Sequence, residues 1–126
     1  MTVAEIGDLV ANELPERYEP LKLTFYGRST RPNGEFAIFG DDYGTDLCVR
    51  ISDGTVHSID PQDKLPTCFV NSNIERLGKF IRVCISYSDR PKKECDALMW
   101  NELKSLDPEA FGNPENWWAQ VREGSL

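Results

Sequence analysis

The stretch that decides the fold is DLCVRISDGTVHSID, running from Asp46 to Asp60. Two apolar, β-branched runs, Asp46 to Ser52 and Thr55 to Asp60, flank Asp53-Gly54, a dipeptide suited to the positive φ angles of a tight hairpin. With a two-residue loop, Ile51 faces Val56, Arg50 faces His57 and Val49 faces Ser58. Strand side chains alternate between faces, so Leu47, Val49, Ile51 and Val56 then share the core side. Pro61 ends the second strand, because it brings no N–H to a ladder.

Working upstream, Glu35 to Phe39 predicts another strand. The segment Gly40-Asp41-Asp42-Tyr43-Gly44 is a loop with glycine at each end, suited to a chain reversal. Leu21 to Tyr26 predicts a first strand, with Leu21, Leu23 and Phe25 alternating against Lys22, Thr24 and Tyr26. Arg28 to Gly34 reads as a polar turn around Pro32-Asn33-Gly34. At the start, Thr2 and Glu5 have capping-box spacing before the stripe Val3, Ile6, Leu9 and Val10, which predicts a short helix that Pro15 and Pro20 terminate.

Downstream, Thr67 to Val70 predicts a last short strand. Ser72 and Glu75 form a second capping box, with Ser72 as the cap, and Ile74, Leu77, Ile81, Cys84 and Ile85 follow at helical spacing to about Tyr87. Pro91 fits the first turn of another helix, whose apolar side is Cys95, Leu98, Met99, Leu103 and Leu106. Asp107-Pro108 breaks it, and Asn113-Pro114 opens a final turn carrying Trp117, Trp118 and Val121. The order helix, strands, helices predicts an α+β fold: a single domain over residues 1–126, with a central, largely antiparallel sheet and the N-terminal and C-terminal helices packed on it. Two domains would leave each half too little apolar surface to bury.

Composition narrows the function. With 40% hydrophobic and 10% aromatic residues, the chain belongs with folded rather than disordered proteins. No apolar run approaches the roughly 20 residues of a membrane helix. Residues 1–11 carry Glu5 and Asp8 and no base, unlike a secretory signal, so the expected location is the cytoplasm. Cys48, Cys68, Cys84 and Cys95 form no CxxC pair, and His57 is the single histidine, so the expected state is four reduced, mostly buried thiols with no zinc and no cofactor.

The net charge is −7, and nearly all of it sits in residues 35–63. There Glu35, Asp41, Asp42, Asp46, Asp53, Asp60 and Asp63 face Arg50 alone. Such a field repels phosphate backbones, which argues against direct nucleic-acid binding, and attracts basic protein surfaces. Asp also collects in turns because it caps and bends the chain; that accounts for each carboxylate singly but less readily for the missing bases. Tyr43 reads either as an aromatic anchor for a partner or as a tyrosine packed on the sheet edge.

Catalytic readings find little support. Asp41, Asp42, Asp46, His57 and Asp60 could ligate a divalent cation, but their spacing matches no metal motif. A histidine base needs a positioned partner, which Arg50 opposite His57 does not supply. No nucleophile elbow or phosphate-cradling loop is present. Trp100, Trp117 and Trp118 sit in helical settings that favour core packing; Trp117 and Trp118 point about 100° apart, which leaves one free to face a partner.

Between Phe36 and Ile81 an ordered set of features resembles the SUKH superfamily, and within it the fourth group of bacterial immunity proteins. The set is the strand ending Phe39-Gly40, the acidic glycine loop, the strand Leu47-Cys48-Val49, the Asp53-Gly54 hairpin, the strand ending Ile59-Asp60-Pro61, and Phe69-Val70-Asn71-Ser72 opening a helix. Pro114-Glu115-Asn116-Trp117-Trp118 with the later Gly124 is similar to the way members of that group end, whereas the first 34 residues add little. The resemblance implies an antidote of a polymorphic toxin system that binds and neutralises a cognate toxin domain, often a nuclease or nucleic-acid deaminase, without catalysis. It carries no catalytic residues to transfer. The candidate partner-binding residues are Glu35, Asp41, Asp42, Tyr43, Asp46, Asp53 and Asp60, expected to meet a basic toxin surface. A scaffold or regulatory interaction module of the same fold is the alternative.

Overall fold

The computed structural model describes residues 1–124, and residues 92–94 by their backbone alone. The elements are α1 (Val3–Glu13), β1 (Arg17–Tyr18), β2 (Leu23–Phe25), β3 (Arg31–Asn33), β4 (Phe36–Asp41), β5 (Asp46–Arg50), β6 (Val56–Ile59), β7 (Cys68–Asn71), α2 (Ile74–Tyr87), α3 (Lys92–Leu106) and α4 (Trp117–Arg122). Single turns of 3-10 helix lie at Glu19–Leu21, Gly27–Ser29 and Pro108–Phe111. All strand pairs are antiparallel, in the order β1-β2-β4-β5-β6-β7. The fold is α+β, as the order of elements predicts.

Strand β4 organises the sheet. Its inner edge pairs with β5, while its outer edge is shared, first by β3 and then by β2. The register against β5 shifts between Ile38 and Gly40 at the point where β4 changes its outer partner. Gly40 is required there: a Cβ would collide with the carbonyl oxygen of Thr24. The predicted Gly40–Gly44 loop is therefore shorter than expected, since Gly40 and Asp41 belong to the strand. The predicted polar turn at Arg28 to Gly34 contains β3, with Pro32 tolerated on an exposed edge.

The central hairpin forms with a different register. Val49 faces Val56, Cys48 faces His57 and Leu47 faces Ser58, two residues away from the expected pairing. The turn is longer than Asp53-Gly54: Gly54, at φ 77°, donates its N–H to the carbonyl of Arg50 at 2.8 Å, and Arg50 donates to the Thr55 carbonyl at 2.9 Å. A slip of two preserves the faces, so Leu47, Val49 and Val56 still enter the core and Ile51 packs against it.

Helices α1 and α2 cover one face of the sheet. The capping box at Thr2 and Glu5 is formed, each accepting the other's backbone N–H at 3.1 Å. Ile6 and Val10 of α1 meet Phe39, Leu47 and Val49 of the sheet and Leu77, Phe80 and Ile81 of α2 in one buried cluster. Gly78 allows the close approach of the two helices, because a Cβ there would stand 2.7 Å from the Glu13 carbonyl oxygen. Helix α2 is capped by Asn73 rather than Ser72, through an Asn73 Oδ1 that accepts from Arg76 N at 2.8 Å. On α3, Leu103 is buried and Leu106 and Met99 pack on the core, but Leu98 is exposed and Trp100 turns inward in its place.

Ser72 is occupied elsewhere, in a polar knot. Asp107, at the end of α3 and 2% exposed, accepts from Ser72 N at 2.8 Å, Ser72 Oγ at 2.7 Å and Asn71 Nδ2 at 3.1 Å. Asn71 Oδ1 in turn accepts from the Trp118 indole N–H at 2.8 Å. Both adjacent tryptophans are buried, Trp117 at 3% and Trp118 at 0% exposed, so neither stands out into solvent as a protruding anchor. Their rings meet edge to face, with centroids 4.9 Å apart, and Trp118 also packs edge-on against Phe80.

The four cysteines are free; Cys48 and Cys84 are buried, and Cys68 and Cys95 partly so. Burial pushes the thiols of Cys48 and Cys84 up to about 12 and about 11. Among the described residues, no helix is long and apolar enough to cross a membrane. Trp118→Ala is expected to cost about 3–5 kcal/mol in urea unfolding, since it empties a fully buried site and leaves Asn71 Oδ1 without its donor.

Candidate partner-binding surface

The antiparallel register sorts the predicted carboxylates between the two ends of the sheet. Asp41 pairs with Asp46 at the mouth of the β4–β5 loop, and Asp46 pairs with Ile59, so Asp60 lies at the same end. Tyr43 sits at the tip of that loop. Asp41, Asp42, Tyr43, Asp46 and Asp60 are therefore brought together. Glu35 and Asp53 are not. Ile51 N donates to the Glu35 carbonyl at 2.9 Å, and Asp53 lies in the β5–β6 turn, which puts both at the far end of β5. Four residues at the strand rise separate the ends by about 14 Å.

Most of these carboxylates shape the loops they occupy. Asp42 Oδ1 accepts from Gly44 N at 3.1 Å, Thr45 N at 2.7 Å and Thr45 Oγ1 at 2.9 Å. Its other oxygen accepts from the buried indole N–H of Trp117 at 3.0 Å. Asp41 accepts from the Tyr26 hydroxyl at 2.5 Å and from Tyr43 N at 3.1 Å. Burial and this bond push the Tyr26 phenol up to about 12. Asp60 gathers the N–H groups of Gln62, Lys64 and Leu65 at 2.9–3.1 Å, which hold its carboxyl below the usual range. Asp53 binds Thr55 through backbone and hydroxyl and Arg50 at 3.2 Å, and its carboxyl is lowered mainly by Thr55.

Asp46 behaves in the opposite way. Partial burial pushes its carboxyl up, Arg31 opposes this, and Asp41 and Asp42 add to it. Tyr43 is 85% exposed and holds a left-handed φ of 73°; it stands clear of the sheet edge. His57 lies elsewhere. It packs edge-on between Phe36 and Phe69, on the sheet face away from the helices, with Nε2 2.7 Å from Thr55 Oγ1. Burial, then Arg50, lowers its pKa. Among the described residues, no three His, Cys, Asp or Glu side chains converge on a point that could hold a metal ion.

Against this geometry stands one comparison with known proteins. The model of the SUKH-4 immunity protein family matches residues 26–124. The chain belongs to the SUKH-4 family. The matched range takes in β3 to β7 and α2 to α4, and thus the β4–β5 loop, the hairpin and both tryptophans that brace them. Membership gives the chain an immunity-protein role, with a protein toxin as the implied partner. No curated protein and no solved structure matches it.

Sequence reasoning missed two members of this surface. Leu65, 61% exposed, stands beside the loop end, and the Trp117–Asp42 bond spans 75 residues. The local signal for Asp42 was present, as Asp followed by Gly and Thr two and three positions on is an Asx-turn pattern. Its tie to Trp117 has no local signature. Asp42→Ala is expected to lower stability by about 2 kcal/mol in thermal or urea unfolding, because it orphans a buried indole donor and three loop donors. For Asp46 the folded state binds the proton more tightly than the unfolded chain does. Its contribution to stability therefore declines as pH rises through the carboxylate range. Asp46→Asn is expected to raise the melting temperature at pH 7 and to lose that advantage at pH 3, measured by circular dichroism.

Proposed function

We propose that this SUKH-4 protein neutralises a toxin that acts on nucleic acid, a nuclease or a nucleic-acid deaminase, by laying the loop end of its sheet over the toxin's active site. The observation that supports this most is the gathering of Asp41, Asp42, Asp46 and Asp60 around the exposed Tyr43 at one end of a rigid sheet. Enzymes that handle nucleic acid present basic clefts to phosphate. A carboxylate-rich protrusion is complementary to such a cleft and is steered toward it. In this reading the chain acts by binding and turns over no substrate. Glu35 and Asp53, at the opposite end, add to the long-range field rather than to the contact. The complex forms in the cytoplasm, where the toxin would otherwise reach its nucleic-acid target.

The test uses the product of the neighbouring open reading frame as the candidate toxin. A one-to-one complex is expected, with toxin catalysis abolished at equal concentrations and growth restored on co-expression. Raising salt from ~50 to ~500 mM is expected to slow association roughly tenfold and to change dissociation little, because rim charges act mainly on encounter. A saturated complex that still cleaves or deaminates its substrate rules out masking. Association that ignores salt removes the electrostatic part of the proposal.

A further inference from the structure

The loop end of the sheet carries more than charge. Among the described residues, Tyr43 and Leu65 are the most exposed large apolar side chains, at 85% and 61%. They stand on the β4–β5 and β6–β7 loops and line one groove of about 400 Å³. Leu21, Trp117 and Val121 form its apolar lining, and the Asp42 carboxylate lies in it. Exposed aromatic and aliphatic groups around a preformed concavity gain more from a partner than from water.

The backbone at this end is unusual as well. Among the described residues, Lys22, Tyr43 and Asp63, at φ 57°, 73° and 55°, are the non-glycine residues in the left-handed region. All three lie on loops at the same end: Lys22 precedes β2, whose Thr24 pairs with Asp41, and Asp63 follows Asp60. Glycine would adopt this conformation at no steric cost, so a tyrosine there keeps its side chain at the expense of stability.

Charge decides what fits. Asp42 and Lys22 line the groove itself, and at this end of the sheet Asp41, Asp42, Asp46, Asp60 and Asp63 outnumber Lys22, Arg31 and Lys64. A second copy of this chain, with a net charge of −7, would meet repulsion there. An arginine satisfies both the apolar lining and the rim, since its stem covers Leu21 and Val121 while its guanidinium stacks on the Tyr43 ring and pairs with a carboxylate. We infer that the Tyr43–Leu65 groove is the affinity-determining contact of this immunity protein and seats an arginine from a basic segment of its toxin. The inference rests on the toxin-neutralising reading above.

Two probes of the full chain test it. The first is a short acetylated arginine-rich peptide, followed by amide and indole chemical shifts. The Trp117 indole N–H and the amides of Tyr43 and Leu65 are expected to shift together in the wild type and to stay still in Tyr43→Ala. Shifts centred on Glu35 and Asp53, or none, overturn the groove.

The second probe is the product of the neighbouring open reading frame, the candidate toxin. Tyr43→Ala is expected to weaken the complex by about 30-fold or more at an unchanged melting temperature. Tyr43→Gly should weaken it similarly while raising the melting temperature, as the left-handed strain is released. A double Glu35→Ala, Asp53→Ala variant should keep its affinity within about threefold, as distant rim charges contribute little. A toxin bound equally by wild type and Tyr43→Ala overturns the groove and leaves toxin neutralisation standing. A toxin that ignores the wild type overturns the neutralising reading, and the groove as its contact falls with it. Wild-type dimers abolished by Tyr43→Ala would assign the groove to a second copy and overturn the arginine.

Discussion

The structure depends on how one buried carboxylate is satisfied. Asp107 is withdrawn from water with no cation beside it among its hydrogen-bond partners; it holds the backbone and hydroxyl of Ser72 and the amide of Asn71 instead. Burying a charge is unfavourable unless its lone pairs are filled, and here they are filled by the end of β7 and the residue leading into α2. The bond thereby fixes the end of α3 against the last strand. Asn71 then presents its carbonyl to Trp118, which fixes α4 against the same point. Three elements distant in sequence meet in one hydrogen-bonded knot beneath the aromatic cluster of Phe80, Phe111 and Trp118.

From this knot the order reaches the surface in one further step. Trp117, which directly precedes Trp118 on the same short helix, gives its indole N–H to Asp42. The acidic loop is thus held from behind by a residue that is itself immobilised by packing. Asp42 spends both oxygens on this task, Asp41 spends one on Tyr26 and one on Tyr43, and Thr45 Oγ1 reaches Ser58 of β6 at 2.5 Å. Tyr43 is consequently an exposed ring on a braced support. A protruding side chain whose backbone is already ordered loses less freedom on association, which is how preorganisation favours binding.

The sequence pattern made the faces of the sheet legible but not its register. Alternation of Leu47, Val49, Ile51 and Val56 reports which side is buried, and a slip by two leaves that alternation unchanged, so nothing in it separates the expected pairing from the observed one. The deciding feature is the bond from Gly54 N to the Arg50 carbonyl, which Asp53-Gly54 supports as readily as a two-residue turn. Ser72 failed as a cap for a related reason: both Ser72 and Asn73 can cap, and the demand of Asp107 for donors removes Ser72 from the choice. The acidic segment was legible as a charge excess. Its division between the two ends of the sheet follows from strand lengths and pairing, which composition does not carry.

The bond between Trp117 and Asp42 joins residues 75 positions apart. At a ribosomal pace of roughly 5–20 residues per second, about 4–15 s pass between the synthesis of the two. Through that interval the β4–β5 hairpin can form, but the indole that steadies its tip does not yet exist. A nascent chain therefore displays the charge of the mature protein before it owns the shape, and the loop stays unbraced until α4 emerges.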